Sequence, residues 1–128
     1  MVVDSSVICA IVFGEAERDE YIGILLDCSS PPKMSVVSYV ETAIAVFRRQ
    51  RIARAELDRL LDELRIRLVA VDTFQAIEAV EAFYRYGKNQ HEANLNFGDC
   101  FSYALAKALD DSLFYKGKDF AATDLARS

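Results

Sequence analysis

Four acidic side chains stand at positions from which they could carry out chemistry together. Asp4 follows the first apolar run, Glu41 lies one helical turn beyond the second, Asp99 opens an apolar helical segment, and Asp119 comes just after the last apolar run. In parallel α/β sheets, ligands bind outside the carboxyl ends of the strands, which is where these acids stand. We therefore predict that the four carboxylates meet at one edge of a sheet.

Each acid also has a purely structural interpretation. Aspartate is among the best N-cap residues, so Asp4, Asp99 and Asp119 can each cap a helix. Glu41 ends the run S-Y-V-E that begins at Ser38, a pattern typical of a capping box in which the glutamate bonds back to the Ser38 amide. For any single acid, capping is the commoner role. The prediction of a shared site therefore depends on the four acids as a set.

Carboxylates gathered in one place favour a hard divalent cation. Their repulsion is costly unless a cation neutralises it, and oxygen ligands alone suit Mg²⁺ or Mn²⁺. Such a site activates water and stabilises the charge that develops in phosphodiester hydrolysis. Ser5 and Ser6 follow Asp4 and either orient these ligands or are ordinary first-turn residues. Thr123 and Asp124 are further supporting candidates, although an exposed helix residue is the commoner identity for such an aspartate.

The elements that must position these residues alternate between short strands and helices. Strands are expected at residues 1–3, 33–37, 68–72 and 112–115. Helices are expected at 5–13, 15–28, from Ser38 onward, 53–66, 73–86 and 99–109, with a last short helix within 117–126. This alternation predicts the α/β class, with a short parallel sheet flanked by helices on both faces. We expect a single domain over residues 1–128.

Composition limits the possible classes of protein. A chain of 128 residues with 52% hydrophobic content can bury a core of its own. No apolar run approaches the roughly 20 residues of a membrane span, and the first residues lack the basic leader of a signal peptide, so we expect a cytoplasmic protein with no membrane partner. The net charge of −5 disfavours a protein that coats nucleic acid through its overall field, but leaves room for a local site.

The segments around the four acids resemble those of a known family. The motifs VDSS, SYVETA, NFGDCFSYALAK and LFYKGKDFAATD together are similar to the PIN domain, and more narrowly to the VapC toxins of bacterial toxin–antitoxin pairs. The resemblance covers nearly the whole chain, with the motifs in the family's order. One departure is the GKD run at Asp119, which replaces the threonine- or serine-asparagine pattern of many members.

This resemblance implies a metal-dependent endoribonuclease that acts as a toxin. The catalytic set corresponds here to Asp4, Glu41, Asp99 and Asp119, of which the first three hold Mg²⁺ or Mn²⁺. The resemblance also implies a homodimer and inhibition by a VapB-type antitoxin whose peptide segment lies over the active-site groove. The antitoxin side would include the acidic segment 15–27 and the arginine-rich segment 48–67.

Four lysines near this edge are candidate contacts to an RNA backbone. Lys88, Lys107, Lys116 and Lys118 flank the loop and helix that carry Asp99. A local cationic rim would let an acidic protein bind phosphate groups. The alternative for each lysine is an ordinary solubility residue on the surface.

Three other functions compete with a toxin ribonuclease. A phosphatase of the haloacid dehalogenase type needs a second aspartate two residues after the first, where this chain has Ser6. A non-catalytic protein that keeps the PIN fold and binds a partner would have no need of Mn²⁺. A structure-specific DNA nuclease of related fold usually carries extra helical arches, for which a chain of 128 residues has little room.

Overall fold

Four short parallel strands form one sheet in the computed structural model, which describes residues 1–89 and 91–125. The order across the sheet is β3-β2-β1-β4, and every pairing is parallel. The predicted parallel sheet is therefore confirmed, with β1 inside it and Asp4 directly after β1. The strands are β1 (Val2–Val3), β2 (Lys33–Ser35), β3 (Arg67–Val69) and β4 (Leu113–Phe114).

Helices connect these strands and cover the sheet. None of the described helices has the length and apolar character that a membrane span requires. They are α1 (Ser5–Val12), α2 (Arg18–Leu26), α3 (Val36–Gln50), α4 (Arg54–Glu63), α5 (Thr73–Tyr86) and α6 (Phe97–Leu109).

Alternation along the strands divides the core into two parts. Successive strand residues point to opposite faces, so Val2 and Leu113 pack on one face with α5 and α6. Val3 and Phe114 pack on the other face with residues of the first four helices. Both faces of the sheet are therefore covered by helices, as predicted, and β1 is held between two apolar layers.

The start of α3 differs from the prediction in a way that matters for the site. Ser35 is the N-cap residue, and its hydroxyl accepts a hydrogen bond from the Val37 amide at 3.2 Å. The predicted helix start at Ser38, and with it the capping box ending at Glu41, is therefore wrong. Because Ser35 caps the helix at the end of β2, Val36 and Val37 belong to α3 rather than to the strand. Glu41 consequently has no capping role at the start of α3.

Two other predicted elements also differ. β3 ends at Val69 because its partner β2 is only three residues long, and Ser35 pairs with Val69 at the end of the ladder. The segment 117–125 forms turns rather than the predicted helix. Phe120 is buried there, and the Thr123 hydroxyl donates to the Phe120 carbonyl at 2.8 Å, which closes a tight turn. The predicted end of that helix, at residue 126, lies outside the described residues.

Candidate active site

Asp4 lies at the carboxyl end of β1 and is 2% exposed. It is the N-cap residue of α1, where its Oδ2 accepts from the Ser6 amide at 3.1 Å. Its Oδ1 accepts from the Ser102 hydroxyl of α6 at 2.6 Å. Asp4 therefore caps a helix and also reaches across to a second helix, so capping does not exclude a part in a shared site.

Glu41 extends from α3 toward the same place. Its Oε1 accepts from the Ser5 hydroxyl at 2.7 Å. Gly98 of α6 faces it so closely that an added Cβ would lie 2.2 Å from Oε2 of Glu41. The missing side chain at Gly98 is what allows the start of α6 to approach this carboxylate.

Asp99 occupies the third position of α6 rather than its N-cap. Asn96 is the cap, and the two residues form a capping box: the Asp99 amide donates to Asn96 Oδ1 at 2.9 Å, and the Asn96 amide donates to Asp99 Oδ2 at 3.0 Å. Burial raises the pKa of Asp99 from its ordinary 3.8 to about 7, and the Asn96 amide opposes that rise. The carboxyl is 6% exposed.

The four acids act on one another electrostatically. The charges of Asp4, Asp119 and Glu41 each add to the rise in the pKa of Asp99. Burial raises the pKa of Glu41 as well, the Ser5 hydroxyl lowers it, and the charge of Asp4 raises it further. Asp4 and Asp99 are buried and Glu41 is half-buried, whereas Asp119 is exposed. We refer to these four residues as the acidic cluster.

The acidic cluster has the donor chemistry that a hard divalent cation requires. Its side chains offer carboxylate oxygens, and the charges of the other three acids disfavour ionisation of Asp99, which a cation would reverse. Within residues 1–89 and 91–125, no three histidine, cysteine, aspartate or glutamate side chains are close enough together to hold a metal ion. A cation between these carboxylates would offset the repulsion among them and so allow a closer approach.

The supporting residues predicted from sequence have varied surroundings. The Ser6 hydroxyl accepts from the Lys116 amide at 2.9 Å, which ties the start of α1 to the segment after β4. Asp124 accepts from the Tyr103 hydroxyl at 2.7 Å and from Lys107 Nζ at 2.8 Å. Asp124 and Thr123 thus stabilise the turns that follow Asp119.

The four lysines fall into two pairs. Lys116 Nζ bonds to Glu15 at 3.1 Å and to Glu17 at 3.2 Å, and Lys107 bonds to Asp124 as described above. Lys88 and Lys118 have exposed side chains. Two of the predicted RNA contacts are therefore engaged in ion pairs, and two lie open on the surface.

The acidic cluster opens onto a groove beside α3. Its volume is about 600 Å³, and we call it the α3 groove. Glu41 and Gly98 form the end next to the cluster, Arg48 adds a cation, and Val40, Ile44 and Phe97 supply an apolar wall. Phe97, which is 74% exposed, also lines a second groove of about 430 Å³ along α5.

Sequence reasoning missed three residues that shape this site. Ser102 bonds to Asp4 and Gly98 makes room for Glu41, both distant in sequence. Asn96 bonds to Asp99 within the same capping box. Ser102 carried a usable signal, because it lies one helical turn after Asp99 and is a hydroxyl in an otherwise apolar helix. Asn96 also carried one, because an asparagine three residues before an acid is typical of a helix start.

Comparison with known proteins places these features in a family. A family model of the PIN domain matches residues 1–125. "Ribonuclease VapC" of Mycolicibacterium smegmatis is 44% identical, with 98% of each chain covered. "Ribonuclease VapC42" of Mycobacterium tuberculosis is 42% identical, with 98% of this chain and 96% of the relative covered.

Solved structures share the fold at lower identity. Mycobacterium tuberculosis VapC20, described as a sarcin-ricin loop cleaving toxin, has a TM-score of 0.75 at 21% identity and covers 99% of this chain and 98% of its own. A chain of a toxin–antitoxin complex from Klebsiella pneumoniae has a TM-score of 0.75 at 14% identity, with 99% and 95% covered.

The raised pKa of Asp99 predicts how the stability of the metal-free protein depends on pH. In the folded state Asp99 keeps a proton that it releases in the unfolded state. This proton adds to the free energy of unfolding: the contribution is complete below pH 3.8 and is lost as the pH rises through about 7. Asp99→Asn keeps the acceptor for the Asn96 amide but cannot ionise. Between pH 5 and 8, wild type should therefore lose on the order of 2 kcal/mol more unfolding free energy than Asp99→Asn.

Urea unfolding in EDTA at both pH values measures this difference. Asp72→Asn is the matched control, because Asp72 also bonds to an amide in the first turn of a helix, α5, and should leave the pH dependence of wild type unchanged. If the unfolding free energy changed by the same amount between pH 5 and 8 in Asp99→Asn and in wild type, Asp99 would not titrate in this range.

Proposed function

Since this chain belongs to the PIN domain family, we propose that its acidic cluster is the metal-dependent active site of a toxin ribonuclease. The VapC relatives match over nearly the whole chain, and the protein is accordingly an endoribonuclease of the toxin–antitoxin kind. The relatives do not say which residues of this chain do the chemistry. The observation that carries the proposal is that Glu41 reaches the helix starts that hold Asp4 and Asp99. The Ser5 hydroxyl donates to Glu41 at 2.7 Å, and Gly98 lies against its carboxylate.

In this proposal Asp4, Glu41 and Asp99 hold Mg²⁺ or Mn²⁺, and Asp119 completes the negative site. When bound, such an ion activates water and neutralises the charge that develops on the phosphodiester. A divalent ion is favoured here because burial opposes ionisation of Asp99 and Glu41, and a counter-charge would offset that effect. Either ion suits an all-oxygen set of ligands.

The remaining polar contacts orient the ligands before any ion or substrate arrives. The Ser5 hydroxyl holds Glu41, the Ser6 amide holds Asp4, and the Asn96 amide holds Asp99. Each bond uses one carboxylate oxygen and fixes the rotation of the group. Preorganised ligands of this kind lower the cost of assembling a charged site at the moment of reaction.

The α3 groove supports RNA as the substrate. Arg48, about two helical turns after Glu41 on α3, places a cation in the groove lining. Lys118 is an exposed cation outside that lining, one residue before Asp119. Phe97 offers an exposed ring against which an unpaired base could stack. Cations along the groove bind the backbone, while the ring favours a single-stranded segment.

The assignment as a toxin also indicates which proteins this chain binds. An antitoxin is the partner of a toxin of this kind, and we further propose that the toxin forms a homodimer. Support comes from an apolar surface that runs from α3 to α5 through Phe97, which lines both grooves. Its members Val40, Ile44, Val80 and Tyr84 are between 47% and 69% exposed. Contiguous apolar surface of this kind usually marks an interface.

The homodimer can be tested away from the acidic cluster. Val80→Lys places a charge on the exposed face of α5 and should convert the dimer to a monomer, because the charge would be buried without a partner. Light scattering after size exclusion measures the mass. Leu26→Lys is the control, since Leu26 is similarly exposed and lies on α2, a helix that packs on the other face of the sheet. A wild-type mass of one chain would refute the dimer.

The central experiment is cleavage of total bacterial RNA with mapping of the new ends. Wild type should make discrete cuts with Mg²⁺ or Mn²⁺ and none in EDTA. Asp4→Asn and Asp99→Asn should each lose activity by about two orders of magnitude or more while remaining folded. Asp72→Asn should cleave like wild type. Full activity in either cluster variant would refute the assignment, and metal-independent wild-type cuts would refute the proposed ion.

Gly98→Ala tests the close approach of α3 and α6. The new Cβ would displace the Glu41 carboxylate, whose atoms lie 2.2 to 2.6 Å from its position. Misplacement of a reacting group by about 1 Å costs up to about 100-fold in rate, and we expect a loss of that order.

Gly23→Ala is the matched control for this change. It is also a glycine-to-alanine change in a helix, and an added Cβ there meets nothing within 4 Å. Both variants should fold, because alanine favours helix. If Gly98→Ala cleaved RNA as fast as Gly23→Ala, the position of Glu41 would not matter to the reaction.

A further inference from the structure

A buried chain of hydroxyl groups connects α3 and α6 to Asp4. The Ser38 and Ser102 hydroxyl oxygens lie 3.0 Å apart, and the Ser102 hydroxyl donates to Asp4 Oδ1 at 2.6 Å. Both serines are 0% exposed. The chain joins α3, α6 and the end of β1, which are the elements that carry Glu41, Asp99 and Asp4.

Counting protons fixes the direction of the hydrogen bonds. An ionised carboxylate only accepts, so the single hydroxyl proton of Ser102 goes to Asp4. The Ser38 hydroxyl must then donate to Ser102, which accepts through its free lone pair. The order Ser38 to Ser102 to Asp4 means that each donor strengthens the next, since such chains are cooperative in a low-dielectric interior.

We propose that Ser102, oriented by Ser38, is a positioning residue that fixes the Asp4 carboxylate for metal binding. This inference rests on the proposed metal-dependent function. The Ser6 amide holds Oδ2 of Asp4 and Ser102 holds Oδ1, so the two bonds together determine the rotation of the carboxylate. Among the described residues, removal of Ser102 leaves the Asp4 carboxylate with the Ser6 amide of its own helix as the one remaining donor.

A packing role does not account for a serine at this position. Ser102 lies among the buried apolar residues of α6, where Cys100, Ala104 and Leu105 contribute to the core. A buried hydroxyl is unfavourable unless it is hydrogen-bonded, so an alanine would serve packing at least as well. Partners that bond to ligands in this way usually matter for metal affinity.

Substitution by threonine and by valine separates the hydroxyl from the volume of the side chain. Ser102→Thr and Ser102→Val add nearly the same bulk, but only threonine can donate to Asp4. Binding of Mn²⁺ is measured by the paramagnetic resonance signal of the free ion, with each variant shown to be folded by urea unfolding in EDTA. Ser102→Val should bind Mn²⁺ about 10- to 100-fold more weakly than Ser102→Thr.

Ser102→Ala removes the hydroxyl without adding bulk and provides the same test if either larger side chain prevents folding. It should weaken Mn²⁺ binding about 10- to 100-fold relative to wild type, and Ser38→Ala should weaken it less. Ser35→Ala is the control, because it removes a buried hydroxyl that caps α3 and bonds to the Val37 amide rather than to a carboxylate. It should lower stability but keep the Mn²⁺ affinity.

The outcomes distinguish this inference from the function on which it rests. Equal Mn²⁺ affinity in wild type and Ser102→Ala, or in the threonine and valine variants, would overturn the role of Ser102 alone. Wild type that binds no Mn²⁺ would overturn the metal site and this inference together. Loss of affinity in Ser35→Ala equal to that in Ser102→Ala would assign the effect to general destabilisation and also overturn it.

Discussion

Repulsion among partly buried carboxylates is the constraint around which the site is built. Burial and neighbouring negative charge both raise the pKa of Asp99, so the fold maintains a local environment that opposes ionisation. The structure offsets part of this cost with donors at the carboxylates, namely the Ser102 hydroxyl, the Ser5 hydroxyl and the Asn96 amide. Positive helix ends contribute as well, because Asp4 lies at the start of α1 and Asp99 in the first turn of α6.

Helix capping and a shared site prove to be compatible roles. Asp4 caps α1 with one oxygen and receives the Ser102 hydroxyl on the other. Asp99 uses one oxygen in a reciprocal bond with Asn96. A carboxylate has two oxygens with several lone pairs, so local capping leaves acceptor capacity for a second partner. For Asp4 and Asp99, capping a helix therefore does not exclude a part in a shared site.

Much of the architecture could be predicted because it depends on local patterns. Short apolar runs separated by amphipathic helices predicted the parallel sheet, and the placement of acids after those runs predicted which edge to consider. The start of α3 was missed because both Ser35 and Ser38 suit a helix cap, and only pairing of Ser35 at the end of β2 decides between them. Ser102 and Gly98 were missed as site residues because their roles lie in contacts with Asp4 and Glu41, far away in sequence.

The order in which the chain supplies the site has a consequence for its synthesis. Asp4 is synthesised well before Asp99, Ser102 and Asp119, which all lie in α6 or after it. β1 pairs with β4 as well as with β2, so one neighbour of the first strand is also supplied late. A nascent or truncated chain that ends before α6 lacks the Ser102 donor to Asp4 and two of the four acids. Under the proposed function, fragments that end before α6 therefore lack the means to cleave RNA.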